Sequence, residues 1–126
     1  MQVAIATQDL ARIDAHLGWT RHLMLYEVSA EGYHHLRTAS FDSGLQQDGD
    51  HGKLSPRLEA LQGCTLVFVA DVGPDGERSL AQQRVAPVRQ FAGQPIALAL
   101  DALRDGLRDN RSRWLRGEEQ RQRRGF

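Results

Sequence analysis

Thr65–Ala70 (TLVFVA) is an uncharged run of strand-forming residues, and it constrains the fold more than any other segment. A strand this apolar is buried on both faces. It needs cover on each side, and the flanking segments can supply it. Leu54, Leu58 and Leu61 recur at i, i+4 and i+7 before it. Ile96, Leu100, Leu103 and Leu107 form a second helical stripe after it. The local expectation is therefore a sheet with helices on both faces.

The remaining segments fill in the order. Gln2–Thr7 reads as a strand with Val3 and Ile5 on one face, and Gln8–Thr20 as irregular chain. His22–Val28 (HLMLYEV) is nearly continuous apolar sequence, as in a central strand. Ser29–Gly32 carries turn residues, and Tyr33–Phe41 returns as the second arm of a hairpin. Asp42–Gly52 (DSGLQQDGDHG) reads as a loop. A helix follows, opened by Ser55-Pro56 or earlier by Asp50, and ended by Gly63. After the apolar strand come a turn at Asp71–Gly76, a short helix at Glu77–Arg84, a fifth strand at Ala86–Phe91, and a last helix with Pro95 in its first turn. The order is β-β-β-α-β-α-β-α: an α/β fold with a five-stranded mixed sheet.

At 126 residues the chain suits one core rather than two. No apolar run approaches the roughly 20 residues needed to span a bilayer, and Met1–Ile5 does not read as a signal peptide. One cysteine, Cys64, excludes an intramolecular disulfide and a four-thiolate site within the chain. These features give the expectation of a soluble, cytoplasmic protein. The formal net charge of zero hides an asymmetry: residues 104–126 hold eight arginines against four acids, a net +4. Lys53 is the only lysine. Such a tail suits a polyanion or an acidic protein surface. The plainer expectation is a solvated end, since Asp101–Arg104, Asp105–Arg108 and Asp109–Arg113 are spaced to neutralise one another on a helix.

Few residues carry chemistry. His16 lies in Asp14–Gly18 (DAHLG), and an imidazole on a short loop can bind iron through one ring nitrogen. Gly18 would let the backbone approach a bulky ligand. A lone histidine fits a surface or hydrogen-bonding role as well. Cys64 precedes the apolar strand, where a thiolate could ligate iron or a thiol could pack as a small hydrophobe. His51, in a polar loop beside Lys53, is a candidate second ligand or proton donor, or a solvated side chain. His34 and His35 alternate across a strand and cannot share one small site. Asp9, Glu59 and Asp71 stand where acids hold Mg²⁺ in two-metal nucleases. The first strand itself contains no acid, and Glu59 lies off the leucine stripe.

Taken in order, several segments resemble the dinitrogenase iron–molybdenum cofactor-binding family. They are Val3–Thr7 (VAIAT), Asp14–Gly18, Leu25–Val28 (LYEV), Asp50–Leu54 (DHGKL) leading into Arg57–Leu61 (RLEAL), Gly63-Cys64, Pro95-Ile96 and Asn110–Leu115 (NRSRWL). The Trp114-Leu115 ending favours one branch of the family over its more distant members. Departures are Leu17 in a usual His-Phe-Gly, Pro74 where a second glycine is common, and Arg111–Arg113 in place of a proline-rich approach to the tryptophan.

The resemblance implies a ribonuclease H-like three-layer α/β/α fold over residues 1–116, followed by a basic, disordered tail at 117–126. It implies a non-enzymatic carrier of iron–sulfur precursors of the nitrogenase cofactor, of the NifB-cofactor type. Its partners would be the NifB protein and the NifEN scaffold, rather than nucleic acid or membrane. A preassembled cluster brings its own sulfides, so one or two protein ligands suffice, with His16 and Cys64 as the candidates. Gly18 and His51 would line the site, and Arg12, Arg21, Lys53 and Arg57 would offset the cluster's negative charge. A Mg²⁺-dependent nucleic-acid enzyme and a cofactor-free adaptor docking through the tail are the competing expectations.

Overall fold

The computed structural model describes residues 1–41 and 51–109, with 51–53 described by backbone alone. Strands β1 (Gln2–Thr7), β2 (His22–Ser29) and β3 (Gly32–Ser40) precede helix α1 (His51–Ala60). Then follow β4 (Leu66–Phe68), α2 (Pro74–Gln83), β5 (Ala86–Val88) and α3 (Ile96–Arg108). The sheet order is β3-β2-β1-β4-β5. The pairs β1–β2 and β2–β3 are antiparallel, whereas β1–β4 and β4–β5 are parallel.

Strand alternation builds two cores. Val3, Ile5, Leu66, Phe68 and Val88 pack with Ile96, Ala99, Leu100 and Leu103 of α3. On the other face Ala4, Ala6, Leu23, Leu25 and Val67 pack with Leu61 beyond α1 and Leu80 of α2. The small Ala4 and Ala6 leave room for two helices on that face, and the larger Val3 and Ile5 meet one. No helix among the described residues is long and apolar enough to cross a membrane.

Several boundaries differ from the sequence reading. Helix α1 opens at His51 rather than at Ser55-Pro56, so His51 and Gly52 belong to a helix and not to the polar loop. Pro56 sits inside α1, in a position its missing N–H argues against, so the start at Ser55-Pro56 fails and the earlier start beside Asp50 agrees with the helix observed. Helix α2 opens three residues early, at Pro74, because proline suits N1 and Asp75 and Glu77 in the first turn complement the helix dipole. Strand β5 ends at Val88; the Ala92 N–H turns back to the Arg89 carbonyl (3.0 Å), and Phe91 packs against Phe68. In α3, Arg104 pairs with Asp101 and Arg108 with Asp105. Asp42–Asp50, Arg113, Trp114-Leu115 and the 117–126 tail lie outside the described residues.

Gly76 is buried in α2, and a Cβ there would lie 2.6 Å from Val72 Cγ2. Helix propensity alone would make Gly76→Ala stabilising by about 1 kcal/mol. The clash is with a buried β-branched side chain, so Gly76→Ala should instead destabilise by about 1–2 kcal/mol, read as a lower urea midpoint at unchanged slope.

Candidate functional site

The site forms at the carboxyl ends of β1 and β4, where the chain leaving β1 crosses toward β2. Asp9 Oδ1 accepts from the Ala11 and Arg12 N–H groups, both at 2.8 Å, and these bonds hold its carboxyl below the ordinary pKa range. Asp14 Oδ1 accepts from Gln8 N–H at 2.7 Å. Leu10 is left in the left-handed region at φ 65°. Two buried residues, Ile13 and Ala15, then anchor the chain. The Ile13 N–H donates to the Gln94 carbonyl (3.0 Å), and the Ala15 carbonyl accepts from Ala70 N–H (2.9 Å). Leu17 N–H donates to the Asp71 carbonyl (3.0 Å), so His16 sits opposite Asp71 in a short parallel bridge.

His16 is the extended N-cap of a single 3-10 turn, Leu17–Trp19. Its Nδ1 accepts from Gly18 N–H at 2.9 Å. The Nδ1 lone pair is thus committed, and the proton of the neutral ring belongs on Nε2. A Cβ on Gly73 would lie 4.0 Å from Nε2, so that nitrogen faces the N-cap of α2. The ring stacks on Trp19, with centroids 3.7 Å apart and planes 7° from parallel. Gly18 has a role beyond the one expected: a Cβ there would meet His16 Nδ1 and Cε1 at 3.2 Å, so the missing side chain admits the imidazole itself.

Charge surrounds this ring. Asp71 Oδ1 accepts from Val72 N–H (2.8 Å) and from Arg89 Nε (3.4 Å), which together hold the Asp71 carboxyl below its usual range. Arg89 also reaches the Val72 carbonyl and pairs with Glu77. Burial lowers the His16 pKa, Asp71 opposes that shift, and Arg89 adds to it. The net direction keeps His16 neutral at neutral pH.

The structure brings His16 and Gly18 together with Trp19, Asp71, Gly73 and Arg89. Trp19 and Arg89 carry no sequence signal as partners of His16, Gly73–Gly76 reads from sequence as a tight turn or an anion cradle of backbone N–H groups, and Asp71 as a Mg²⁺ ligand. Their shared signal is position, each lying on the crossing loop or just past the carboxyl end of β4 or β5. Arg57 is placed elsewhere. It is 1% exposed, its Nε and Nη2 both donate to the Thr20 carbonyl (3.0 and 2.8 Å), and its guanidinium lies over the Phe41 ring. It positions the 3-10 turn and offers no open face to a cluster. Arg12 donates to the Gly93 carbonyl, and the Arg21 backbone N–H donates to Gln8 Oε1; both side chains are exposed. His51 and Lys53 open α1, with side chains outside the described residues.

Cys64 does not join His16. It lies in the core before β4, whereas His16 pairs beyond the other end of that strand. Six residues of largely extended chain separate Cys64 from Asp71, on the order of 20 Å. Burial pushes the thiol up to about 11, which keeps it protonated at neutral pH. The nuclease constellation does not form either. Asp9 is committed to its own loop and Glu59 faces solvent on α1. Among the described residues no three of His, Cys, Asp and Glu converge on a metal position.

With this geometry in view, comparison with known proteins decides the family. The model of the dinitrogenase iron-molybdenum cofactor family matches residues 1–106. The chain belongs to this family. It is 40% identical to the NifX protein of Herbaspirillum seropedicae over 116 residues, covering 92% of this chain and 80% of that one. It is 33% identical to NifX of Azotobacter vinelandii, covering 91% and 72% respectively. It also matches the FeMo cofactor biosynthesis protein NifB of Bradyrhizobium diazoefficiens at 30% identity, over 75% of this chain but only 19% of that longer protein. Among solved structures, a Thermotoga protein described as NifB-like and assigned to the DUF35 family superposes with a TM-score of 0.61 at 17% identity. The match covers 84% of this chain and 89% of that one, so the fold is shared. The family membership and these relatives connect the chain with nitrogen fixation and iron–molybdenum cofactor biosynthesis.

As a cap and a stacked ring, His16 contributes to stability although it lies in a connecting segment. His16→Ala should lose about 1 kcal/mol, whereas His16→Asn should retain most of it through its own side-chain oxygen. The folded ring binds its proton more weakly than the unfolded one. Its contribution is therefore full above the ordinary imidazole value of 6.5 and is lost as pH falls through the lower folded pKa. Urea midpoints measured from about pH 7.5 to pH 5 should fall less steeply in His16→Asn than in the native chain.

Proposed function

We propose that this chain is a non-enzymatic cytoplasmic carrier for an iron–sulfur precursor of the iron–molybdenum cofactor, of the kind NifB produces. It would receive the cluster from NifB and deliver it to the NifEN scaffold, with His16 as a direct iron ligand. The observation that carries this reading is the placement of His16 Nε2, facing Gly73 at the start of α2 on a ring seated against Trp19. Arg89, shared between Asp71 and Glu77, and the N–H groups at the amino end of α2 offer hydrogen-bond donors beside the ring, and one protein ligand is enough for a cluster that carries its own sulfides. A site with few protein ligands also favours release, which a carrier requires. We read the sheet order as the ribonuclease H-like three-layer arrangement, used here without that fold's metal-binding acids.

Anaerobic titration with isolated precursor cluster, followed by its charge-transfer absorption, tests the assignment. His16→Asn, which keeps a side-chain cap, should weaken binding at least tenfold, or about 1.4 kcal/mol. Cys64→Ala should bind as the native chain does. Unchanged affinity in His16→Asn would remove His16 from the site, and loss of binding in a folded Cys64→Ala would restore the thiol as a ligand.

We assign cargo binding to residues 1–116 and docking on an acidic partner to the basic 117–126 segment. Deleting 117–126 should leave cluster affinity unchanged and slow transfer to the scaffold at low salt. The difference should vanish near 1 M salt, where the Debye length falls to about 3 Å. Equal transfer rates at low salt would reduce the segment to a solvated end.

A further inference from the structure

Resting on the carrier reading, we infer that cargo ligation by His16 and the hydrogen bond from Gly18 N–H to His16 Nδ1 are mutually exclusive, so that this bond is a latch opened by loading and closed by release. A backbone N–H can only donate, so at 2.9 Å the Gly18 amide requires an unprotonated Nδ1. The neutral ring then carries its proton on Nε2, the nitrogen that faces Gly73. In that state Nε2 has no lone pair for iron.

Two routes lead to ligation, and each breaks the latch. If Nε2 binds iron, its proton leaves to solvent and Nδ1 takes one up. Nδ1–H then confronts Gly18 N–H, donor against donor. If Nδ1 binds iron, its lone pair is no longer available to the amide. Neither route changes the net proton count of the ring or involves a redox step. An imidazolate could serve both partners, but it forms only far above neutral pH.

The surroundings give the latch its function. The Gly18 amide is one of the donors that a 3-10 turn leaves open, and His16 is the side chain that caps it. Opening the latch weakens ligation by the worth of a cap, about fivefold. The same bond re-forms as the cluster departs and favours the empty state. Gly18 also eases the arrangement, since a Cβ there would press on the ring at 3.2 Å. Before ligation, the Nε2–H is free to donate to an anionic sulfide or carboxylate on the approaching cargo.

Two measurements test the latch. In the free chain labelled with ¹⁵N-histidine, imidazole nitrogen shifts near pH 7.5 should show His16 as the Nε2–H tautomer, assigned by the resonances missing from His16→Asn. An Nδ1–H tautomer would overturn the inference. The second measurement uses a synthetic [4Fe–4S] cluster with exchangeable thiolate ligands, added anaerobically, with site-resolved hydrogen exchange at the Gly18 amide. Exchange should accelerate at least fivefold on loading. In His16→Asn the side-chain oxygen keeps the amide protected and the cluster should not load. Loading of the native chain but not of His16→Asn, with Gly18 still protected, would sink the latch and leave His16 as a ligand. Equal loading of both proteins would overturn His16 ligation itself. Failure of the native chain to take up the cluster would overturn the carrier reading, and the latch with it.

Discussion

Everything at the site depends on a short piece of backbone pairing in which Ala15–Leu17 runs beside Ala70–Asp71 at the end of β4. This pairing turns irregular chain into an extension of the sheet. It fixes the extended backbone of His16, from which the imidazole folds back over the 3-10 turn. It also brings the ring alongside the start of α2, because Asp71 is only two residues from the Gly73 cap. Buried Ala15 and Leu17 hold the pairing from below. The side chain that would meet cargo thus stands on a connection that is as well anchored as a strand.

Arg57 gives the same turn a second support. A guanidinium that is 1% exposed would be costly without partners, and two of its nitrogens converge on the Thr20 carbonyl just past Trp19. Thr20 is itself fully buried, with Oγ1 donating to the His22 carbonyl at 2.9 Å. Helix α1 therefore grips the end of the turn while β4 grips its beginning. The residue expected to neutralise cargo charge instead holds the loop that carries His16. Arg89, on the far side, keeps an exposed guanidinium between Asp71 and Glu77 and so contributes to the field around His16.

His16 and Cys64 were legible as candidate ligands because their residue types suit iron, but residue type says nothing about distance. The parallel strand between them separates the two sites by its own length. Asp9 illustrates the same limit. Its carboxylate suits a metal, yet the loop folds so that the Ala11 and Arg12 amides occupy it. Trp19 was overlooked because a tryptophan three residues after a histidine has no fixed relation to it in irregular chain. Only the single 3-10 turn brings the two rings face to face.

What the sequence determined by itself was whatever depends on periodicity. The uncharged run before Asp71 requires helices on both faces, and the leucine stripes supply them. The strand alternation of Val3–Ala6 already divides the two cores. Element order follows from these local patterns, because hydrophobic period is a property of neighbouring residues. The tertiary structure alone decided which polar groups found partners. The direction of the Arg57 guanidinium, the commitment of His16 Nδ1 to Gly18 and the isolation of Cys64 all depend on contacts between segments distant in sequence or on the exact turn of a loop. A hydrogen bond is directional and short-ranged, so whether a donor meets its acceptor is settled only when the whole sheet has brought them within 3 Å or so.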